Sequence, residues 1–294
     1  MNLKFSIVIA TKKYSDNLNK TINSINRQIY NPIEIIIVSN DRILQTFNLN
    51  KKVILKKYVS KIKNQVFQRN IGFKKICHKS DIVLQLDDRI ILDQRCLYEL
   101  NKFWQKMKLS VIGVGLNQIN TIKERGFFNK ITYYLNLRGK VLNNGMCIDY
   151  SSLKKDLKVM WLKGGLSSWR INRNKNRKFF DRKFPHWKWS IFEDVEFSLS
   201  QNKKSQLIVS HKSKAEVIDK KNKINFTNLI YRGSLHTFSQ KRIVNHYFKN
   251  NVYFFSTIPI LVLLSFMFSI FTFNISKIIY NLGRLKGFFI INFN

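Results

Sequence analysis

Acidic residues are scarce in this chain. Its 294 residues include 17 Asp and Glu against 52 Lys and Arg, a formal net charge of +35. Proline (three) and glycine (eleven) are also few, which excludes long flexible linkers. The three cysteines, Cys77, Cys96 and Cys147, are far apart. They form no CxxC or Cys/His spacing, so neither a zinc site nor a disulfide framework is expected. They read as buried or idle thiols in a reducing compartment. The five histidines are scattered and none sits at ligand spacing. No GxGxxG follows the first apolar run and no GxxxxGK[ST] occurs, which disfavours a dinucleotide fold and excludes a P-loop. No internal repeat is visible.

A field this positive favours nucleic acid, anionic lipid headgroups or phosphorylated substrates. The Lys and Arg residues are dispersed rather than striped and no nucleic-acid-binding motif occurs, so no nucleic-acid partner is expected. Lys, Asn and Ile are used heavily throughout, so compositional bias accounts for much of the charge. Attraction to an anionic membrane accounts for some of the rest. A hydrophobic fraction of 45% and an aromatic fraction of 14% exclude disorder as the main state.

The opening MNLKFSIVIATKK has an apolar run of about six residues, short of a signal-peptide core, and lacks a small-residue cleavage site. It reads as a strand. Val252 to Phe273 carries no charge and is long enough, at about 20 residues, to cross a bilayer. Pro259 is tolerable there. Lys249 on one side and Lys277, Arg284 and Lys286 on the other do not settle an orientation. The segment reads as membrane-attached; the alternative is a buried or interfacial hairpin.

The first half alternates strand and helix. KFSIVIAT (4–11), EIIIVSND (34–41), KKVILKKYV (51–59), DIVLQL (81–86) and VIGVGLN (111–117) read as strands, the continuous apolar ones covered on both faces. Asp16 reads as the cap of a helix carrying Leu18, Ile22 and Ile25. Residues 65–77 read as a second helix, and Leu97, Leu100, Phe103 and Trp104 mark a third. This rhythm predicts a Rossmann-like, mostly parallel, doubly wound α/β sheet. Ligands bind such sheets beyond the carboxyl ends of the strands. Polar clusters stand at three of those ends: Thr11, Asn40-Asp41 and Asp87-Asp88. The expected division is 1–117 as a half carrying a nucleotide-type site, 118–251 as a second half with a connecting segment, and 252–294 as a membrane segment and tail.

Two acidic clusters stand out, Asp87-Asp88 and Glu193-Asp194. Transfer of a group from a nucleoside diphosphate needs positive charge on the leaving diphosphate, commonly a cation held by carboxylates, and a general base for the incoming hydroxyl. The two clusters fit that division of labour. The bland readings are a strand-end turn for Asp87-Asp88 and a helix-start acidic pair for Glu193-Asp194. Trp187 and Trp189 could stack on a sugar or fill core. The run RINRNKNRK (170–178) could meet a lipid diphosphate or simply be solvated.

From residue 4 to 201 the chain resembles the inverting glycosyltransferases of family 2, which have the GT-A fold. The resemblance rests on five stretches in order: FSIVIATKKYSDNLNKTINSINRQ, IEIIIVSND, QRNIG, LQLDDRIIL and GGLSSWR…FFD…FEDVEFSLS. It implies that Asp194 is the catalytic base and that Glu193 supports it. Asp87 and Asp88 would lie at the sugar nucleotide, Asp88 at a metal. Thr11, Asn40, Asp41 and Arg69 would surround the nucleoside, and Gly164 and Gly165 would lie toward the acceptor. Where the family's metal-binding motif ends in Asp, this chain has Arg89. Either Asp88 takes a divalent cation (Mg2+ or Mn2+), or the Arg89 guanidinium meets the phosphates itself.

The implied protein is a membrane-associated enzyme on the cytoplasmic face. It would move a sugar from a nucleotide-sugar donor to a glycan or lipid-linked acceptor in surface polysaccharide synthesis. Two rivals stay open: a polyprenyl-phosphate glycosyltransferase, and a non-catalytic basic membrane- or nucleic-acid-binding protein on a decayed transferase fold.

Overall fold

The computed structural model describes residues 2–119, 134–171, 190–201, 205–218 and 225–292. The chain divides into two compact units, residues 1–140 with 149–219, and residues 141–148 with 220–294.

The first unit is built on one mixed sheet. Its strands, among the described residues, are β1 (Phe5–Ala10), β2 (Glu34–Ser39), β3 (Ile54–Val59), β4 (Ile82–Asp87), β5 (Ile90–Leu92), β6 (Val111–Gln118), β7 (Leu157–Val159), β8 (Leu166–Arg170) and β9 (Gln206–Val217). The order is β3-β2-β1-β4-β8-β6-β9-β5, with β7 also on β9. β3, β2, β1 and β4 are mutually parallel, as the apolar runs predict. β1 and β2 are buried at every position because helices cover both faces. β3 is the edge strand, half exposed, and accordingly carries Lys56 and Lys57. β8 runs antiparallel to both β4 and β6.

The helices α1 (Asp16–Asn26), α2 (Gln65–Lys74), α3 (Cys96–Lys106) and α4 (Glu193–Leu199) complete the unit. Ser15, not Asp16, caps α1: its side chain accepts the Leu18 N–H, and Asp16 is the first helical residue, where a negative charge suits the helix dipole. Leu18, Ile22 and Ile25 pack with Ile7, Ile37 and Leu84 in the main core. Each such buried side chain contributes about 1.5–3 kcal/mol.

Register positions the site. Ala10 pairs with Val38 on one side and Asp87 on the other, so β1, β2 and β4 end at one level. Leu86 pairs with Leu166 across the antiparallel β4–β8 pair, which sets Gly164-Gly165 beside Asp87. The connections leave β1 and β4 in opposite directions, and crevices form at such switch points.

The second unit is helical: α5 (Phe226–Ile243), continued by one π-helical turn at Val244–Phe248, then α6 (Val252–Phe271) and α7 (Ile275–Asn292). α5 and α7 touch backbone to backbone. A Cβ on Gly233 would lie 2.2 Å from the Tyr280 carbonyl oxygen, and one on Gly283 2.2 Å from that of Ile230. The Ser234 and Thr237 hydroxyls donate across this contact to the Gly283 and Arg284 carbonyls, at 2.8 and 3.0 Å. α6 is long and apolar enough to cross a membrane.

Gly72 lies where α2 crosses β1, and a Cβ there would meet Val8 Cγ1 at 2.3 Å. Gly72→Ala therefore forces α2 off the sheet. We expect a loss of about 1–3 kcal/mol despite the better helix propensity of alanine, read as a lower urea midpoint at unchanged slope.

Candidate active site

The strand ends converge on an open cleft of about 220 Å3 in the first unit. Gln65, Arg69, Asp87, Arg89, Gln118, Lys163, Gly164, Gly165, Glu193 and Asp194 are among its lining.

Arg69 is its centre. α2 starts at Asn64, whose side chain accepts the Val66 N–H at 2.8 Å. Residues four apart share a helix face, so Gln65 and Arg69 both reach Asp87: Gln65 Nε2 donates to Oδ1 at 2.6 Å and Arg69 Nη2 to the same oxygen at 2.9 Å. Arg69 Nη1 donates to Glu193 Oε1 at 3.0 Å. The side chain is 1% exposed. Burial opposes its charge, but the carboxylates of Asp87, Glu193 and Asp194 more than offset this and hold its pKa above the ordinary value. A buried guanidinium thus joins the end of β4 to the start of α4, whose Glu193 lies 124 residues beyond Arg69 itself.

Phe192 precedes α4 in the left-handed region, φ 63° and ψ 18°. That conformation is strained for a bulky residue and is tolerated where surrounding structure imposes it. It turns Glu193 and Asp194 into the cleft. Asp194 Oδ2 accepts the Gly164 N–H at 2.9 Å, and Oδ1 the Val195 N–H at 2.9 Å. Burial still raises the Asp194 pKa against these bonds and against Arg69. Glu193 is pushed up to about 8, by burial first and by the charge of Asp194 second, with Arg69 opposing. The pair therefore holds protons to higher pH than ordinary carboxylates do.

Gly164 and Gly165 allow the close approach. A Cβ on Gly165 would lie 2.4 Å from Asp87 Cγ, and one on Gly164 2.9 Å from Arg69 Nη1.

The structure brings together Arg69, Asp87, Arg89, Gly164, Gly165, Glu193 and Asp194. Asp88 turns the other way and accepts the Thr11 hydroxyl at 2.6 Å. Gln68 Nε2 donates to the Thr11 carbonyl at 2.5 Å and to Asn40 Oδ1 at 3.3 Å, which links these residues in a second polar group. The Asn40 amide also donates to the Ser60 and Ile62 carbonyls, fixing the end of β3. Asp41 is exposed and its carbonyl accepts the Ser39 hydroxyl. Trp187, Trp189, the Phe-Asp turn and most of the 170–178 run lie outside the described residues.

Lys163 is a cleft residue that sequence reasoning missed. Its ammonium meets Asp149 at 2.7 Å, Gln118 Oε1 at 2.9 Å and the Ser151 hydroxyl, and it lies 5.1 Å from the Tyr150 ring centroid. Burial works against Asp149 ionising, but Lys163 and Ser151 outweigh it and hold its pKa below the usual value. The only sequence signal was position, directly before Gly164-Gly165.

Among the described residues no three His, Cys, Asp or Glu side chains cluster as a metal cage. The chemistry of Asp87 and Asp88 fits a hard cation held by one or two carboxylates, with water and substrate phosphates completing its shell.

Removing the Arg69 charge leaves buried carboxylates uncompensated. Arg69→Met should cost about 3–5 kcal/mol in urea unfolding. Adding Glu193→Gln should recover part of that loss, since one of the stranded charges is then gone.

Residues 6–156 match the family model described as Glycosyl transferase family 2. No match was found among curated proteins. Among solved structures, S. aureus TarS 1-349, in complex with UDP-GlcNAc, superposes with a TM-score of 0.51 at 14% identity, covering 86% of this chain and 73% of that one. TarS 1-349 without that ligand gives 0.50 at 15% identity and the same coverage. The chain spans 39% of a longer TarS structure and 44% of GalNAc-T7, the latter at a TM-score of 0.48 and 14% identity, covering 74% of this chain. The TarS 1-349 likeness shows the GT-A fold. With the family model matched over half its length, the chain belongs to glycosyl transferase family 2.

Proposed function

We propose that this glycosyltransferase is membrane-associated and inverting, moving one sugar from a nucleotide-sugar donor to a hydroxyl of a glycan or lipid-linked acceptor. The observation that carries this reading is Asp194: a carboxylate open to the cleft, oriented by the Gly164 N–H and separated by Arg69 from the donor-side carboxylate Asp87. TarS 1-349, of the same fold, holds UDP-GlcNAc, which supports a donor of that class.

In this reading the acceptor oxygen attacks the anomeric carbon while its proton passes to Asp194. The bond from that carbon to the diphosphate oxygen breaks, and its electron pair leaves with the diphosphate. Attack opposite the leaving group inverts the centre. Arg89, in the cleft wall, meets the leaving diphosphate. Asp88 would hold a divalent cation, which supplies further charge compensation there. Glu193 keeps Arg69 in place.

The active unit is placed on the cytosolic side because nucleotide sugars are made there, and surface polysaccharide is the product class. A lipid-phosphate acceptor is the second reading. It is favoured by residues 220–294, which contain ten Lys and Arg and no acid. Sugar recovered in a short extractable glycolipid rather than on a pre-existing glycan would select it.

The test is a donor panel of UDP-, GDP- and dTDP-sugars on purified protein, with and without Mg2+ or Mn2+. Nucleoside diphosphate release and thermal shift are read together. One nucleotide should stabilise the protein, and Asp87→Ala should abolish that shift. Asp194→Asn should bind donor normally and lose roughly 10²–10⁴-fold in rate. No nucleotide binding by folded protein would overturn the proposal.

The pH profile checks the base. Asp194 works only deprotonated and its pKa is raised, so the acid limb of the rate should lie at higher pH than an ordinary aspartate would give. Glu193, pushed up to about 8, is still protonated where Asp194 titrates, so Glu193→Gln, which keeps an Arg69 partner, should leave that limb in place. A limb that moves in Glu193→Gln would assign the titration to Glu193 instead.

A further inference from the structure

We propose that the helical unit binds one leaflet of an anionic bilayer with α6 lying in the membrane plane, not crossing it. This rests on the membrane attachment proposed above and specifies its mode.

α6 is apolar all round, but only a narrow stripe of it, Phe254, Ile258, Val262 and Ser269, is buried, the first three packed with Leu285 and Phe288 of α7 among others. Leu264, Phe268 and Phe271 remain 53%, 62% and 76% exposed. The hydroxyls of Ser256, Thr257 and Ser269 donate to carbonyls four residues back, so they present little unsatisfied polarity. Such a face demands an apolar partner.

The partners of α7 exclude a crossing. α6 and α7 are antiparallel: Phe254 and Phe255 meet Phe288, and Ser265 and Ser269 meet Asn281. Arg284, between those two points on α7, therefore stands level with the middle of α6. It donates to Gln240 of α5 at 3.0 Å. α5 runs parallel to α7, with Ile230 against Gly283 and Ser234 against Gly287. This register sets Arg232 near the same level. α6 is about 30 Å long, the thickness of the hydrocarbon core. Passing it through a bilayer would carry Arg284, Arg232 and the exposed Lys286 toward the midplane, where charges are expensive. Laid flat, α6 sinks its free face into the acyl boundary while α5 and α7 keep their charges at the headgroups.

Charge names the lipid. Residues 220–294 hold ten Lys and Arg and no Asp or Glu, although the chain has 17 acids before them. A surface of uniform positive sign around an apolar face is complementary to an anionic leaflet.

The test uses the full chain, diluted from detergent into preformed sealed vesicles. Unmodified protein should float with vesicles of equal parts phosphatidylglycerol and phosphatidylcholine, roughly tenfold more than with phosphatidylcholine alone. Equal flotation would overturn the anionic preference. A second preparation carries Phe273→Cys, in the α6–α7 turn, with Cys77, Cys96 and Cys147 replaced by alanine and an NBD label on the new thiol. External dithionite should bleach that label in intact vesicles. Protection until detergent is added would mean that α6 crosses, overturning the flat mode while leaving attachment in place. No flotation of the unmodified chain would sink both, and a concentration-dependent dimer mass would then assign the face to a second copy.

Discussion

The first unit depends on one buried cation. Arg69 is fully enclosed, and its two terminal nitrogens hold carboxylates from distant stretches of the sequence, Asp87 at the tip of β4 and Glu193 at the start of α4. A guanidinium suits this position because it stays charged in a low-dielectric site and binds two acids at a fixed angle, which an ammonium does not do. Its desolvation is a standing cost, met only while both partners are present. The geometry of the cleft follows from that requirement. The glycine pair must lack side chains so that Asp87 and Arg69 can close up, and the strained Phe192 is held because Glu193 is anchored.

The same arrangement separates two kinds of acid chemistry. Asp87, on the proposed donor side, sits against the Arg69 cation and the Gln65 amide. Glu193 and Asp194 share a drier place, where burial raises both. In the proposed mechanism the group that collects the proton is thereby made more basic, and the group beside the leaving diphosphate is paired with positive charge.

Much of the fold is legible in the sequence because its signals are local. Runs such as FSIVIA and EIIIVS are apolar at every position, and only a strand covered on both faces reads that way. The convergence of Thr11, Asn40 and Asp87-Asp88 follows from a parallel sheet, in which the strands end at one edge. What is illegible depends on pairing over long separations. Arg69 can be assigned a neighbourhood through QRNIG, but nothing in that stretch says that it bridges Asp87 and Glu193. Lys163 is hidden among 52 basic residues and becomes distinct only through Asp149, Gln118 and Ser151. The short β5 and the long β9 escape a reading by pattern, since β5 has three residues and β9 alternates Lys and Ser into its second half. Asp16 is not the cap that its sequence position suggests, because Ser15 offers the same capping chemistry one residue earlier.

The most direct test is a structure of the chain with its nucleoside diphosphate. The diphosphate should lie at the cleft mouth beside Asp88 and Arg89, with Arg69 still bonded to both Asp87 and Glu193 and Asp194 open to the space beyond. A nucleotide seated away from the β1 and β4 ends, or an Arg69 that leaves Glu193 to take the phosphates itself, would contradict the central role given to that buried cation.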